Sequence, residues 1–336
     1  MIKKWLGLAV GLFLLLSTPA ARAETEIDLK AWQQEPAFGK IIKVGYNGGL
    51  CIGTLGIAQI KGYYADEGLQ TEIVRMGSGG TSAEPEALGT GKVDVAGAHI
   101  ATMLLPTVNG VRMKFTTGIH TGCKSIYVLN KSDIQKTSDL IGKTMAVPDG
   151  IGASDHNIAL RFVSHDKINP MDIKYKVVDA GAAVLAMQNG EIQAALLGDQ
   201  FAKKFLDDGT LRIIRSLTFD DDFKKEACCI HAINLDFYEK NPISSLKLTR
   251  AHERASRWAM ENREEAVRLL LENKWAAGDP KVVLEIFNTY DYDVSDQATE
   301  ETLRSTIEDY KSFGFIDPKR DTEEIIKKIW APLAAE

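Results

Sequence analysis

The sequence predicts an α/β protein of two similar lobes, and three observations carry that reading. Strand-like and helix-like stretches alternate from residue 41 onward. A unit of helix, glycine and strand occurs twice, as EALGTGKVDVAGAH at 86–99 and as LAMQNGEIQAALLGD at 185–199. No Gly/Ser-rich or Pro-rich linker divides the chain, so short strand crossovers are expected to join the lobes.

Taken in order, the first segment stands outside the fold. Residues 1–23, MIKKWLGLAVGLFLLLSTPAARA, place Lys3 and Lys4 ahead of an apolar run at 6–16 and end on the small residues Ala21 and Ala23. That is the three-part layout of a secretory signal peptide, with cleavage expected after Ala23. The apolar run is shorter than the roughly 18–20 residues a membrane span needs. No cysteine stands at the expected cleavage point to carry a lipid anchor, so a soluble protein of the periplasm is expected.

Ile41, Ile42, Val44 and Tyr46 then open a strand that runs into NGGL. Residues 56–64 have helical spacing closed by Gly68, and 71–74 read as a second strand. Gly91 and Gly190 end helices as left-handed caps, and a short apolar strand follows each at once. EIVRMGSGGTSAEPEAL and KYKVVDAGAAVLAM, the segments ahead of the two caps, both read as strand, glycine turn and helix. A strand is expected at 143–147, a helix from DGIGASDH to about residue 165, and a late strand at 212–217. Beyond Asn234 the stretches 242–274, 280–290 and 296–313 read as charged, amphipathic helices.

The formal net charge is −6 over 336 residues, and signal cleavage would remove three cations and no acid. Such acidity speaks against nucleic acid as a partner. It leaves room for a small anionic ligand, because backbone amides and helix N-termini bind anions locally.

KVGYNGG at 43–49, GIAQIKGYYADEGLQTEIVRMGSGGTSAEPEALGTGKVDVAGAH at 56–99 and SDIQKTSDLIGKTMAVPDGIGASDH at 132–156 resemble the substrate-binding proteins of ABC importers. The branch is the NMT1-like one, which includes sulfonate, taurine, nitrate and thiamine-precursor binding proteins. The resemblance spans about residues 40–235. It implies the two-lobed periplasmic binding protein fold of type II, with ligand held in a cleft between lobes and released to a membrane permease. Mapped onto this chain, lobe one would be 40–123 plus 232–336 and lobe two 124–231. A monomer without cofactor, partnered by ABC permease subunits and a small molecule, is what the family implies.

Two glycine-rich turns are the clearest cleft candidates. Ser78, Gly79, Gly80, Thr81 and Ser82 join a strand to a helix, and Gly152, Ser154 and Asp155 do so in the second half. Glycines let the backbone approach a ligand, and free N–H groups favour negative charge. Thr81, Ser82 and Ser154 also read simply as helix caps. Neither turn is a phosphate-binding Walker loop, and no GxSxG, HExxH or CxxC motif occurs. Asn47, Asp199 and Gln200 follow strands and are further ligand candidates, although each also suits a turn or cap. His165 and His252 read as surface residues, and Asp220, Asp221 and Asp222 as a solvated loop.

By the family layout Cys51, His99, His120, Thr121, Cys123, Cys228, Cys229 and His231 fall near the cleft mouth. Three readings of the cysteines stay open. One is a Cys51–Cys123 disulfide, which an oxidising compartment permits. Another is thiols packed as small hydrophobes, with His231 hydrogen-bonded. The third is a soft-metal site of Cys51, His99, His120, Cys123, Cys229 and His231. Strand alternation in ACCIHAI sends Cys229 and His231 to one face and Cys228 to the other, unless the strand bends.

The function expected is capture of a small anionic solute (sulfonate, nitrate, carboxylate or vitamin precursor) for a permease, without catalysis. The alternatives are a periplasmic metal or metallophore receptor and an enzyme resembling pyrimidine-precursor synthases.

Overall fold

The computed structural model of the protein describes residues 28–76 and 83–333. The expected signal peptide and the turn carrying Ser78, Gly79, Gly80, Thr81 and Ser82 lie outside the described residues.

Among the described residues, ten strands form two five-stranded sheets. They are β1 (Ile41–Tyr46), β2 (Gln70–Arg75), β3 (Val95–His99), β4 (Met113–Thr121), β5 (Lys124–Leu129), β6 (Thr144–Ala146), β7 (Lys174–Lys176), β8 (Ala194–Gly198), β9 (Leu211–Ser216) and β10 (Ala227–Asn234). The first sheet has the order β2-β1-β3-β10-β4 and the second the order β7-β6-β8-β5-β9. Each has one antiparallel strand in the same place: β10 between β3 and β4, and β5 between β8 and β9. The repeat read from the sequence is therefore a repeat of topology, with β3 and β8 at the centre of their sheets. Gly91 at φ 71° and Gly190 at φ 76° turn the chain into those two strands.

The chain passes between lobes twice, and both antiparallel strands belong to those passages. β4 hands over to β5 through Gly122 and Cys123 alone, and residues 217–226 lead from β9 back into β10. All eight positions of β10 are buried, as expected of a strand paired on both sides with helices over both faces. Its neighbour β4 carries Gly118, whose hydrogen faces the helix Asp296–Ser312; an added Cβ would fall 2.3 Å from Thr299 Oγ1. That close approach seats the C-terminal helices on the first sheet.

The C-terminal helices occupy Pro242–Glu261, Arg263–Glu272, Pro280–Phe287, Asp296–Ser312 and Thr322–Ile329. The last of these was not anticipated from the sequence. Two surface readings are corrected here. His252 is fully buried in Pro242–Glu261, its ring stacked on His231 at 4.9 Å. His165 is partly covered and meets Asp309 at 3.2 Å. The acidic loop is not simply solvated: Asp220 and Asp222 accept from Arg215 at 2.6 and 2.5 Å.

Burial holds the His252 imidazole down at about 3, against an ordinary value near 6.5. The unfolded chain thus takes up a proton below about pH 6.5 that the folded chain refuses. Stability from this group is complete above that pH and falls as pH drops toward 3, with a slope approaching about 1.4 kcal/mol per pH unit. Urea unfolding of wild type and His252→Gln between pH 7 and 4 should give curves that converge as pH falls. Parallel curves would mean that His252 protonates freely in the folded protein.

Candidate functional site

The C-terminal ends of the parallel strands from both sheets face one cavity of about 290 Å³, where open α/β sheets commonly bind ligands. From the first lobe it is lined by Asn47, Cys51, Glu84, Gly97, His99 and Cys229. Lys124, Asp149 and Ser154 line it from the second. A wider hollow of about 550 Å³ adjoins it through Cys51, His99 and Lys124 and reaches Asp199 and Gln200.

The second-lobe wall is a charged triad. Lys124 is the first residue of β5 and is 8 % exposed. Its Nζ donates to Asp149 Oδ2 at 2.6 Å and Ser154 Oγ at 3.2 Å, and also contacts Asp155 Oδ1. Burial alone would lower the ammonium's pKa, but the two carboxylates raise it well above the ordinary lysine value. Burial likewise works against the Asp149 carboxylate. The Lys124 charge and the Ser154 hydroxyl outweigh it and hold Asp149 well below the usual range. For Asp155 burial wins and the carboxyl is raised. Asp155 also accepts from the Asp149 N–H at 2.8 Å, so this turn's own carboxylate takes up part of the positive field that an anion would seek there. Opposite, burial raises Glu84, to which Asn47 donates a hydrogen bond.

The first-lobe wall is of different chemistry. Cys229 is paired across the sheet with His99 on β3 and with His120 on β4. In-register neighbours present their side chains to one face, so imidazole, thiol and imidazole lie in a row. Cys228 joins them because β10 is irregular between Ala227 and Ile230; a bulge of this kind breaks the two-residue alternation. Cys51 arrives from the 3-10 turn Leu50–Ile52 after β1, and Cys123 from the β4–β5 junction. Four triplets result, Cys51/His120/Cys229, Cys51/His99/Cys123, His99/Cys228/Cys229 and His120/Cys123/Cys228, each with its ligand atoms within 4.8 Å of one another. Cys123 Sγ lies 3.4 Å from His99 Nε2 and 3.0 Å from Cys228 Sγ.

These groups perturb one another. Hydrogen bonding from Cys123 and Cys229, against burial, holds the Cys51 thiol well below its ordinary value. Burial works to raise Cys228, but its thiol neighbours and the His99 charge bring it down as well. Burial pushes Cys123 and Cys229 up. His99 is raised to about 10, the Cys228 charge overcoming the effect of burial.

The expected site residues therefore divide. Asn47, Cys51, His99 and Ser154 line the cavity, and Asp199 and Gln200 line the adjoining hollow. Asp155 sits beneath Lys124. Gly152, at φ 81°, donates its N–H to His156 Nδ1 at 3.1 Å. Thr121 pairs with Asp291, its N–H donating to the Asp291 carbonyl at 2.9 Å. Asp199 accepts from Ser125 at 2.8 Å, Tyr127 at 2.6 Å and Thr218 at 2.5 Å, so its carboxylate is already satisfied. Gln200 reaches the first lobe, donating to the Ala277 carbonyl at 2.8 Å.

The soft-donor set needs two corrections. His231 is not in it: it shares a face with Cys229 but lies farther along β10, its Nδ1 bonded to Thr116 Oγ1 at 2.7 Å and its ring against His252. Cys228, which alternation sent away, is in it. All four cysteines are free thiols, so the Cys51–Cys123 disulfide is absent. Lys124 and Glu84 were missed, and Asp149 was expected only as the head of the second glycine turn, not as a partner of Lys124. The available signal was a lysine opening the otherwise apolar strand KSIYVL.

A family model described as NMT1/THI5 like matches residues 52–266. No curated protein matches the sequence. Among solved structures, the alkanesulfonate-binding protein SsuA from Xanthomonas axonopodis pv. citri is 18% identical, with a TM-score of 0.69, covering 88% of this chain and 99% of that one. The periplasmic nitrate-binding protein NrtA from Synechocystis PCC 6803 is 16% identical, with a TM-score of 0.69 and 86% of each chain covered. A ligand-binding component of an ABC-type import system from Staphylococcus aureus, with zinc bound, is 14% identical at a TM-score of 0.68, over 87% of this chain and 96% of that one. At these identities the likeness establishes the fold, that of the periplasmic binding proteins.

Removing Lys124 would strand the buried Asp155 carboxylate and leave the more exposed Asp149 without its cation. Lys124→Met is expected to cost about 3–5 kcal/mol in urea unfolding, the usual penalty for breaking a buried pair. Adding Asp155→Asn should recover much of it. A single variant as stable as wild type would mean that water already screens the triad.

Proposed function

The chain belongs to the NMT1/THI5-like family, and we propose that it is the periplasmic solute-binding component of an ABC importer. It captures a small organic anion of the sulfonate, nitrate, carboxylate or vitamin-precursor class, passes it to a membrane permease, and performs no chemistry on it. It acts as a monomer. The observation that carries this reading is the cavity between the two sheets, closed by groups from both. Its volume suits one small molecule.

Ligand contacts to both walls would favour the closed arrangement of the lobes, and their loss would favour the open one. Contacts between the lobes outside the cavity are compatible with such motion because many are polar. Arg161 meets Asp309 at 2.6 Å and Glu226 at 2.7 Å, and Lys203 meets Glu285 at 2.8 Å. Groups of this kind exchange their partners for water on opening. The relatives described as binding alkanesulfonate and nitrate support an anionic solute. Lys124, the one Lys or Arg lining the cavity among the described residues, is the group that would meet its charge.

Asp149 competes with such an anion for Lys124. Isothermal titration with ethanesulfonate and with nitrate should therefore show Asp149→Asn binding at least one of them about 10-fold more tightly than wild type, about 1.4 kcal/mol. Equal affinity for both probes in the two proteins would remove Lys124 as the anchor. Consumption of either probe would replace a carrier by an enzyme.

A further inference from the structure

We infer that Cys51, His99, His120, Cys123, Cys228 and Cys229 form a resident binding site for one thiophilic closed-shell cation, Zn²⁺ or Cu(I), built into the first-lobe wall of the cleft. Four observations meet here. The first is convergence: thiol and imidazole donors from five separate chain segments lie in interlocking triplets within 4.8 Å. The second is tautomer. His120 Nδ1 is 2.7 Å from the Thr121 carbonyl oxygen, which makes Nδ1 the protonated nitrogen and leaves the lone pair on Nε2. That nitrogen is buried and finds no hydrogen-bond partner among the described residues. Orientation of a ligating imidazole by a backbone carbonyl is the usual outer-shell arrangement of metal sites.

The third observation is backbone cost. Cys123 holds φ at 93°, a region that a side chain other than glycine rarely occupies. It is kept there by its N–H donating to Thr218 Oγ1 at 2.9 Å and its carbonyl accepting from the Asp199 N–H at 2.9 Å. The β10 bulge is a second such distortion, and it brings both adjacent thiols to one site. Thiols serving only as small hydrophobes would need neither. The fourth is donor type: the triplets contain sulfur and imidazole nitrogen and no carboxylate. Such a set selects soft or borderline cations over Mg²⁺ and Ca²⁺.

Residence follows from where the donors sit. Cys51, His99, His120, Cys228 and Cys229 belong to the first sheet or the turn after β1, and Cys123 to the junction at its edge. Separation of the lobes would not pull the set apart, so the cation stays when solute leaves. A tetrahedral site needs four donors. The half-buried Cys51 and His99 lie on the cavity side and give the entry path.

The test uses the full mature chain, purified reduced and metal-free. Zn²⁺ and Cu(I) are titrated separately against a chromophoric chelator, with native mass spectrometry for stoichiometry and far-UV circular dichroism to confirm folding. One ion per chain is expected from at least one of the two cations. Cys229→Ser and His120→Gln should each weaken its affinity by more than about 100-fold, beyond the roughly 10–100-fold typical of losing an outer-shell partner. The cavity-side His99→Gln covers the case in which a buried variant fails to fold. His165→Gln, remote from the site, should bind as wild type does. The inference is overturned if the folded, reduced chain takes up neither cation, or if protein isolated without reductant carries its cysteines as disulfides. Ethanesulfonate and nitrate titrated into metal-free and loaded samples separate the two readings: solute binding without metal uptake removes the site alone, and metal uptake without solute binding removes the carrier role alone.

Discussion

The two-residue junction at Gly122 and Cys123 is the constraint on which the site depends. Both residues lie at positive φ, 84° and 93°, and they turn the chain from β4 in one sheet into β5 in the other with no slack. Gly122 is required by space as well, since an added Cβ would fall 2.9 Å from Thr218 Oγ1. Cys123 has no such excuse and is held by hydrogen bonds to Thr218 and Asp199. The turn sets a thiol against the first-lobe cluster and, one residue on, the Lys124 ammonium against the second-lobe carboxylates. Backbone strain stored at a binding wall is a familiar arrangement, and here Asp199 with its three hydroxyl donors is the brace behind it.

The two walls are unlike in their physics. The second-lobe wall is a hard ionic triad in which Lys124 is already paired, so a solute anion must compete with Asp149 for it. The first-lobe wall offers polarizable sulfur and imidazole with few counter-charges of its own. Such groups buried together are costly unless they share protons or a cation. The depressed thiols and raised imidazoles follow from that sharing.

Much of this fold was legible because it rests on local rules. The glycine caps at Gly91 and Gly190, the apolar strands after them and the turn into Ser154–His165 follow from short-range sterics and periodicity, and the second sheet repeats the topology of the first. What was not legible depends on tertiary context. Alternation assigned Cys228 to the wrong face because a bulge follows from neighbouring strands and not from the four letters around it. His252 reads as a surface residue in a charged helix, yet that helix packs it against His231. Asp220 and Asp222 read as solvated until Arg215 is placed between them. Lys124 gave only the weak sign of a cation at the head of an apolar strand.

The most direct measurement is X-ray absorption at the metal edge of the loaded protein. The account predicts a sulfur shell at roughly 2.3 Å together with imidazole nitrogen at roughly 2.0–2.1 Å. A first shell of oxygen and nitrogen alone, without sulfur, would contradict it and return the cluster to a set of packed thiols.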